Sequence, residues 1–104
     1  MKDKLQYGSE VLIGEGKRTE SGKQGLWTYK DKKGKVRVKA TYRNNVKHGK
    51  YKTYHTTTKL YIESSYKDGK VSGTWKEYYE NGQIKEEGNY VDGKYNSVNF
   101  WLED

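Results

Sequence analysis

One glycine recurs every 24 residues, at Gly25, Gly49 and Gly73, and its surroundings recur with it. Trp27, Tyr51 and Trp75 stand two positions later, and Tyr42, Tyr66 and Tyr90 seventeen later. Small residues follow at fifteen, namely Ala40, Ser64 and Gly88, with Gly16 in that slot one period earlier. Val36, Leu60 and Ile84 share another slot, eleven after each glycine. A fixed period of this length describes a stack of like supersecondary units. Segments 49–72 and 73–96 agree at eight of 24 positions. The chain of 104 residues therefore reads as one domain with units 25–48, 49–72 and 73–96, a half-unit 1–24 before them and a half-unit 97–104 after.

Each unit carries turn signals: Lys33-Gly34 and Asn44-Asn45 in the first, Asp68-Gly69 in the second, Asn81-Gly82 and Asp92-Gly93 in the third. Asn-Gly and Asp-Gly favour two-residue hairpins, because both central residues of a type I′ turn need positive φ. Twelve residues per strand and turn leave no length for helices. The chain is thus expected to be all-β, a single-layer antiparallel meander with strands near 11–18, 26–31, 36–43, 49–55, 60–66, 73–79, 84–91 and 97–102.

Two-residue loops also set register. A tip at Asn81-Gly82 pairs Tyr79 with Ile84, Trp75 with Gly88 and Gly73 with Tyr90. Around Lys33-Gly34, Trp27 meets Ala40, Gly25 meets Tyr42 and Lys30 meets Arg37. Around Thr57-Thr58, a turn lacking glycine and therefore longer or distorted, Tyr51 meets Ser64 and Gly49 meets Tyr66. Each large ring faces a small residue, so the rings are expected to lie across bare backbone, which would explain the repeated glycines. One face then carries Trp27, Tyr29, Val38, Tyr42, Tyr51, Ile62, Tyr66, Trp75, Tyr79, Ile84 and Tyr90. The other carries Lys30, Arg37, Lys39, Lys50, Lys52, Tyr54, Tyr61, Glu63, Lys76, Tyr78, Lys85 and Glu87.

Composition limits what such a sheet can bury. Leu, Ile, Val and Phe make up only 16 residues, whereas 11 Tyr and 3 Trp supply flat amphipathic rings. A large enclosed active site is not expected, and no segment remains to cover the aromatic face. Residues 23–59 hold 12 basic groups against Asp31 alone, and residues 60–104 hold five against nine acidic ones. This charge dipole points to an anionic partner or to head-to-tail self-contact. A tight Asn44-Asn45 turn would set Lys39 against Lys50 and Arg37 against Lys52, crowding five cations, with Lys30, on one surface. With no Cys and no long apolar run, the default compartment is the cytoplasm.

The units GLWTYKDKKGKVRVKATYRNN, GKYKTYHTTTKLYIESSYKDG and GTWKEYYENGQIKEEGNYVDG resemble the bacterial variant of the MORN repeat, found in YwqK-like proteins named as toxin–antitoxin antitoxin components. The likeness spans residues 25–96. It implies a repetitive antiparallel sheet that binds other molecules, commonly proteins, with phospholipid binding proposed for the wider class. No catalytic residue comes with it.

Enzyme chemistry has no support from the residues themselves. His48 and His55 lack metal or triad spacing, and no cofactor or metal is implied. Glu77 and Glu86 face each other on the aromatic side in the derived register, where like charges need solvent or a cation. The reading is a non-catalytic binding module, antitoxin or immunity-like, with a protein partner of acidic surface. The basic-face candidates are Lys30, Arg37, Lys39, Lys50 and Lys52; those of the aromatic face are Trp27, Tyr51, Trp75, Tyr79, Glu77 and Glu86. Gly25, Gly49, Gly73, Gly88, Tyr42, Tyr66 and Tyr90 are structural. The alternatives are anionic lipid, with nucleic acid disfavoured because only Tyr54 and Tyr61 stand among the cations for stacking, and a structural scaffold or homodimer.

Overall fold

The computed structural model describes residues 2–57, 59–91 and 93–100, the last six by their backbone. Among them the chain is all-β and antiparallel. The strands are β1 Lys2–Tyr7, β2 Glu10–Thr19, β3 Gly22–Lys30, β4 Val36–Arg43, β5 Val46–Tyr54, β6 Leu60–Lys67, β7 Lys70–Val71, β8 Gly73–Tyr78, β9 Ile84–Val91 and β10 Lys94–Phe100. They pair in sequence order as one meander, with β7 forming a short additional pairing on β6. Residues 101 and 102 of the expected last strand, Thr58 of the second tip and Asp92 of the last turn lie outside the described residues.

Strand β1 was not expected, although Asp3, Leu5 and Tyr7 alternate with Lys4 and Gln6 ahead of a turn at Gly8, φ 63°. It changes the account of the core. Leu12, Trp27, Tyr29, Val38, Ala40 and Tyr42 are buried, and Leu5, Tyr7 and Tyr51 pack against them. Arg37 of β4 lies 5.6 Å from the Tyr7 ring centroid, whereas strands three apart in a flat sheet would be separated by about 14 Å. The sheet therefore coils enough for β1 to cover the aromatic face of the first repeat, where no covering segment was foreseen.

Within the three hairpins β3–β4, β5–β6 and β8–β9, register agrees with expectation away from the tips. Trp27 pairs with Ala40 and Gly25 with Tyr42; Tyr51 pairs with Ser64 and Gly49 with Tyr66; Trp75 pairs with Gly88 and Gly73 with Tyr90. At the tips it differs. The Asp31 N–H donates to the Lys35 carbonyl and the Gly34 N–H to the Asp31 carbonyl, both at 2.9 Å, and Tyr79, Gly82 and Gln83 repeat that geometry. These are three-residue loops closed by a glycine of positive φ, 82° at Gly34 and 90° at Gly82, in place of two-residue turns. The extra loop residue is offset by a bulge just inside the strand. Lys30 thus pairs with Val36, not Arg37, and Tyr78 pairs with Ile84, displacing Tyr79. The second hairpin shifts likewise, with Tyr54 opposite Leu60. The inserted residues are Arg37, Tyr61 and Lys85, themselves 24 apart.

The opposite ends turn as expected. Asn44 and Asn45 have φ of 50° and 69°, Asp68 and Gly69 of 50° and 88°. These turns dock on the preceding repeat: the Asn45 N–H donates to the Lys23 carbonyl at 2.9 Å, Gly69 to Lys47 at 2.8 Å, and Gly93 to Val71 at 2.9 Å. Repeats are joined by this edge as well as by strand pairing.

The repeated glycines serve a different purpose from the one expected. Gly25, Gly49 and Gly73 have φ of 68°, 116° and 88°, and a Cβ at Gly25 or Gly73 would meet nothing within 4 Å. Their dihedrals, not an overlying ring, require glycine. Register jumps flank Gly25 on the β2 side and Gly49 on the β4 side. Rings do cover glycines in β2. A Cβ on Gly14 would lie 2.4 Å from Tyr29, and one on Gly16 would lie 2.6 Å from Trp27. Gly16→Ala is therefore expected to cost about 1–3 kcal/mol by overpacking. Gly25→Ala should cost about 1–2 kcal/mol through its dihedral alone, and Gly25→Asn less, in urea unfolding.

Candidate functional site

Three surfaces emerge from this register. The first is the aromatic face, which changes character along the chain. Trp27 is fully buried, its Nε1–H donating to the Lys17 carbonyl at 3.0 Å, so it cannot be the partner contact that the sequence suggested. Tyr42 is buried too, its hydroxyl 3.4 Å from that of Tyr29. Lys23 threads these rings: its ammonium donates to Asp3 at 2.9 Å and to the Tyr29 hydroxyl at 3.2 Å, and lies 4.3 Å from the Tyr42 ring centroid. One period on, Lys47 lies 4.5 Å from the Tyr51 ring centroid and 5.1 Å from that of Tyr66. Tyr51 and Tyr66 meet edge to face at 5.3 Å. Burial, with the hydroxyls of Tyr66, Tyr7 and Tyr42 nearby, pushes the Tyr51 phenol up to about 12. In the third repeat Trp75, Tyr79 and Tyr90 are only half-buried.

The second feature is the row of bulge residues. A bulge re-aims the inserted side chain, and Arg37, Tyr61 and Lys85, expected on the basic face, sit among residues of the aromatic one. Arg37 is 6% exposed. Its Nη1 donates to Glu10 at 2.7 Å and lies 3.6 Å from Asp31, and its Nε donates to the Tyr54 carbonyl at 3.3 Å. Tyr61 stacks on His55, centroids 4.4 Å apart. Lys85 pairs with Glu77 at 3.3 Å, which raises its ammonium above the ordinary lysine value. Glu77 does stand opposite Glu86, so Lys85 supplies the cation that such a pair needs. His55, Tyr61, Glu77, Tyr78, Tyr79, Glu80 and Lys85 together line an open basin of about 600 Å³.

The third surface is the charged face. Its cations do not crowd as expected, because the jump at Gly49 moves the register by two: Lys39 pairs with Lys52, Lys50 with Ser65, and Val38 with Thr53. Instead one row crosses the sheet through the pairings Lys2–Glu15, Glu15–Thr28, Thr28–Lys39, Lys39–Lys52, Lys52–Glu63, Glu63–Lys76 and Lys76–Glu87. Three of these steps are ion pairs, at 3.8, 3.7 and 3.5 Å for Lys2–Glu15, Lys52–Glu63 and Lys76–Glu87. Lys30 and Lys50 are exposed, and within this row Lys39 stands directly against Lys52. Sequence reasoning missed the Arg37 and Lys23 clusters. The only available signal was the recurrence of Lys at 23 and 47 and of a bulky residue at 37, 61 and 85.

The histidines are structural. His55 Nε2 lies 3.1 Å from the Tyr78 carbonyl, and His48 Nδ1 accepts the Asp68 N–H at 3.2 Å. No group of three or more His, Asp or Glu able to hold a metal occurs among the described residues.

Removing Arg37 takes from the Asp31 carboxylate, its side chain 7% exposed, the guanidinium 3.6 Å away. Arg37→Met is expected to destabilise the fold near neutral pH, and less in acid, where Asp31 is protonated. Chemical unfolding at both pH values checks this. The Lys23 hydrogen bond and charge hold Asp3 below the ordinary value of 3.8. Its contribution is therefore complete above that value and is lost as pH falls through the depressed one. Asp3→Asn should flatten the acid limb of stability in thermal melts.

Neither a curated protein nor a solved structure matches the chain significantly. The MORN repeat variant matches three times, over residues 23–44, 47–68 and 72–92. Each match takes in one β-hairpin, β3–β4, β5–β6 or β8–β9, and together they cover more than half the sequence. The chain belongs to the MORN repeat variant family, a non-enzymatic repeat module.

Proposed function

We propose that this chain is a non-catalytic protein-binding module whose contact surface is the aromatic side of its third repeat. The observation that carries this reading is the gradient of coverage. In the first repeat β1 closes over the rings and Trp27 is fully buried. Around Tyr61, Trp75 and Tyr79 the same face is half-exposed and opens into the basin beside Glu77 and Lys85. Half-exposed Tyr and Trp with charged groups at their margin have the composition of an interface centre and rim. The basin is wide and shallow, which suits a protein surface better than an enclosed small molecule.

In its narrower form, the partner is a toxin-like protein that the module neutralises by forming a stoichiometric complex, as an antitoxin or immunity protein does. Repeat membership is compatible with binding, and the exposed rings supply the contact. Co-expression with the protein encoded by the neighbouring reading frame tests this form. The expected result is a stoichiometric complex by size exclusion with light scattering. Tyr61→Ser and Tyr79→Ser should each weaken it by about tenfold or more, with Lys50→Ala as the surface control and melting curves confirming folding. Absence of a complex, or one indifferent to both tyrosines, contradicts the proposal.

A further inference from the structure

The geometry points to the tip of the first hairpin as the docking point for an acidic segment of a partner protein. Lys30, Lys32, Lys33 and Lys35 are exposed there, and Lys59 is exposed on the neighbouring tip. None of the five forms a salt bridge among the described residues. Lys32, Lys33, Lys35 and Thr56 line a depression of about 90 Å³, with Glu10 and Asp31 in its wall. Both carboxylates are already engaged. One Asp31 oxygen accepts the N–H groups of Lys33 and Lys35 at 2.9 and 3.0 Å, and the other lies 3.6 Å from Arg37. Glu10 takes Arg37 at 2.7 Å. The backbone hydrogen bonds chiefly, with the charges of Arg37 and Lys35 assisting, hold Asp31 below the usual carboxylate range, so it stays ionised and bound to the turn. The ammonium groups of Lys32 and Lys33 have no carboxylate within ion-pair distance among the described residues, and that of Lys35 adds only its field at Asp31.

The third tip shows that the turn itself does not call for these lysines. It has the same pair of backbone hydrogen bonds at the same lengths, with Glu80, Asn81 and Gln83 where the first tip has Lys32, Lys33 and Lys35. Crowding like charges is unfavourable in the free protein and becomes favourable only against an anion. The tip is also preorganised: Asp31 pins its backbone, and the Lys35 ammonium donates to the Thr56 carbonyl at 3.3 Å, tying it to the next tip. Lys32, Lys33, Gly34, Lys35, Thr56, Thr57 and Lys59 include no ring on which a nucleobase could stack and no apolar side chain to enter a bilayer. A run of protein carboxylates meets a row of ammonium groups without needing either. This inference rests on the protein-binding reading but uses a surface remote from the aromatic basin.

The test exchanges one tip for the other in the full chain. The variant K32E/K33N/K35Q takes the residues that the third tip already carries on the same backbone, and K4N/K17E/K67Q makes the same change in composition and net charge at exposed positions elsewhere. The probe is a fluorescein-labelled deca-glutamate peptide followed by anisotropy at about 20 and about 150 mM salt. The tip variant is expected to bind about tenfold more weakly than the parent, and the control within about twofold. Equal weakening by both variants would reduce the effect to net charge and overturn the assignment. So would tip-dependent binding to phosphatidylserine vesicles or oligo-dT with none to the peptide. Lys33→Gln alone, expected to weaken binding about threefold, carries the test should the triple variant melt early. The tip variant leaves Tyr61 and Tyr79 in place, so an intact partner complex alongside tip-independent peptide binding overturns this assignment only. A missing complex with tip-dependent peptide binding overturns the basin reading only.

Discussion

The structure depends on flat rings laid between small residues of the neighbouring strands. Trp27 lies over Gly16 on one side and pairs with Ala40 on the other. Tyr51 pairs with Ala40 in one direction and with Ser64 in the other. Trp75 pairs with Gly88. A ring placed this way covers backbone hydrogen bonds on two strands at once, so a sheet poor in aliphatic residues can still exclude water from its ladder. Where a coil of the sheet adds β1 above the rings, burial is complete; farther along, it is partial.

Bulges are the second organising constraint. Each of the three hairpins β3–β4, β5–β6 and β8–β9 has one next to its tip, and the glycine-marked register jumps lie toward the docked turns. Those near the tips turn Arg37, Tyr61 and Lys85 onto the aromatic side, and the identity of the inserted residue sets the chemistry of each repeat. Arginine, held by two carboxylates, seals the first. Tyrosine stacked on His55 and lysine paired with Glu77 leave the other two open toward the basin. A single backbone device thus yields a closed end and an accessible end in one repetitive sheet.

On the opposite face, cross-strand neighbours share a single row because the register is constant at its centre. The alternation from Lys52 through Glu63 and Lys76 to Glu87 makes that row largely self-neutralising. Part of the excess positive charge of the middle of the chain lies instead at the first hairpin tip, in exposed lysines that form no salt bridge among the described residues.

The sequence by itself determined the all-β meander, the 24-residue unit, the type I′ turns at Asn44-Asn45 and Asp68-Gly69, and the pairing of each large ring with a small residue. These follow from local conformational preference and a period that strand spacing must obey, so they are legible without coordinates. It also placed Glu77 opposite Glu86. Only the tertiary structure decided which side Arg37, Tyr61 and Lys85 occupy, because one inserted residue reverses the alternation from which facing is inferred. The same holds for Lys39 against Lys52, since the jump at Gly49 has no signature beyond a glycine that could equally seat a ring. The burial of Trp27 and the exposure of the third repeat required the coil that carries β1 over the face. That coil is a property of the whole twisted sheet, and no single repeat encodes it.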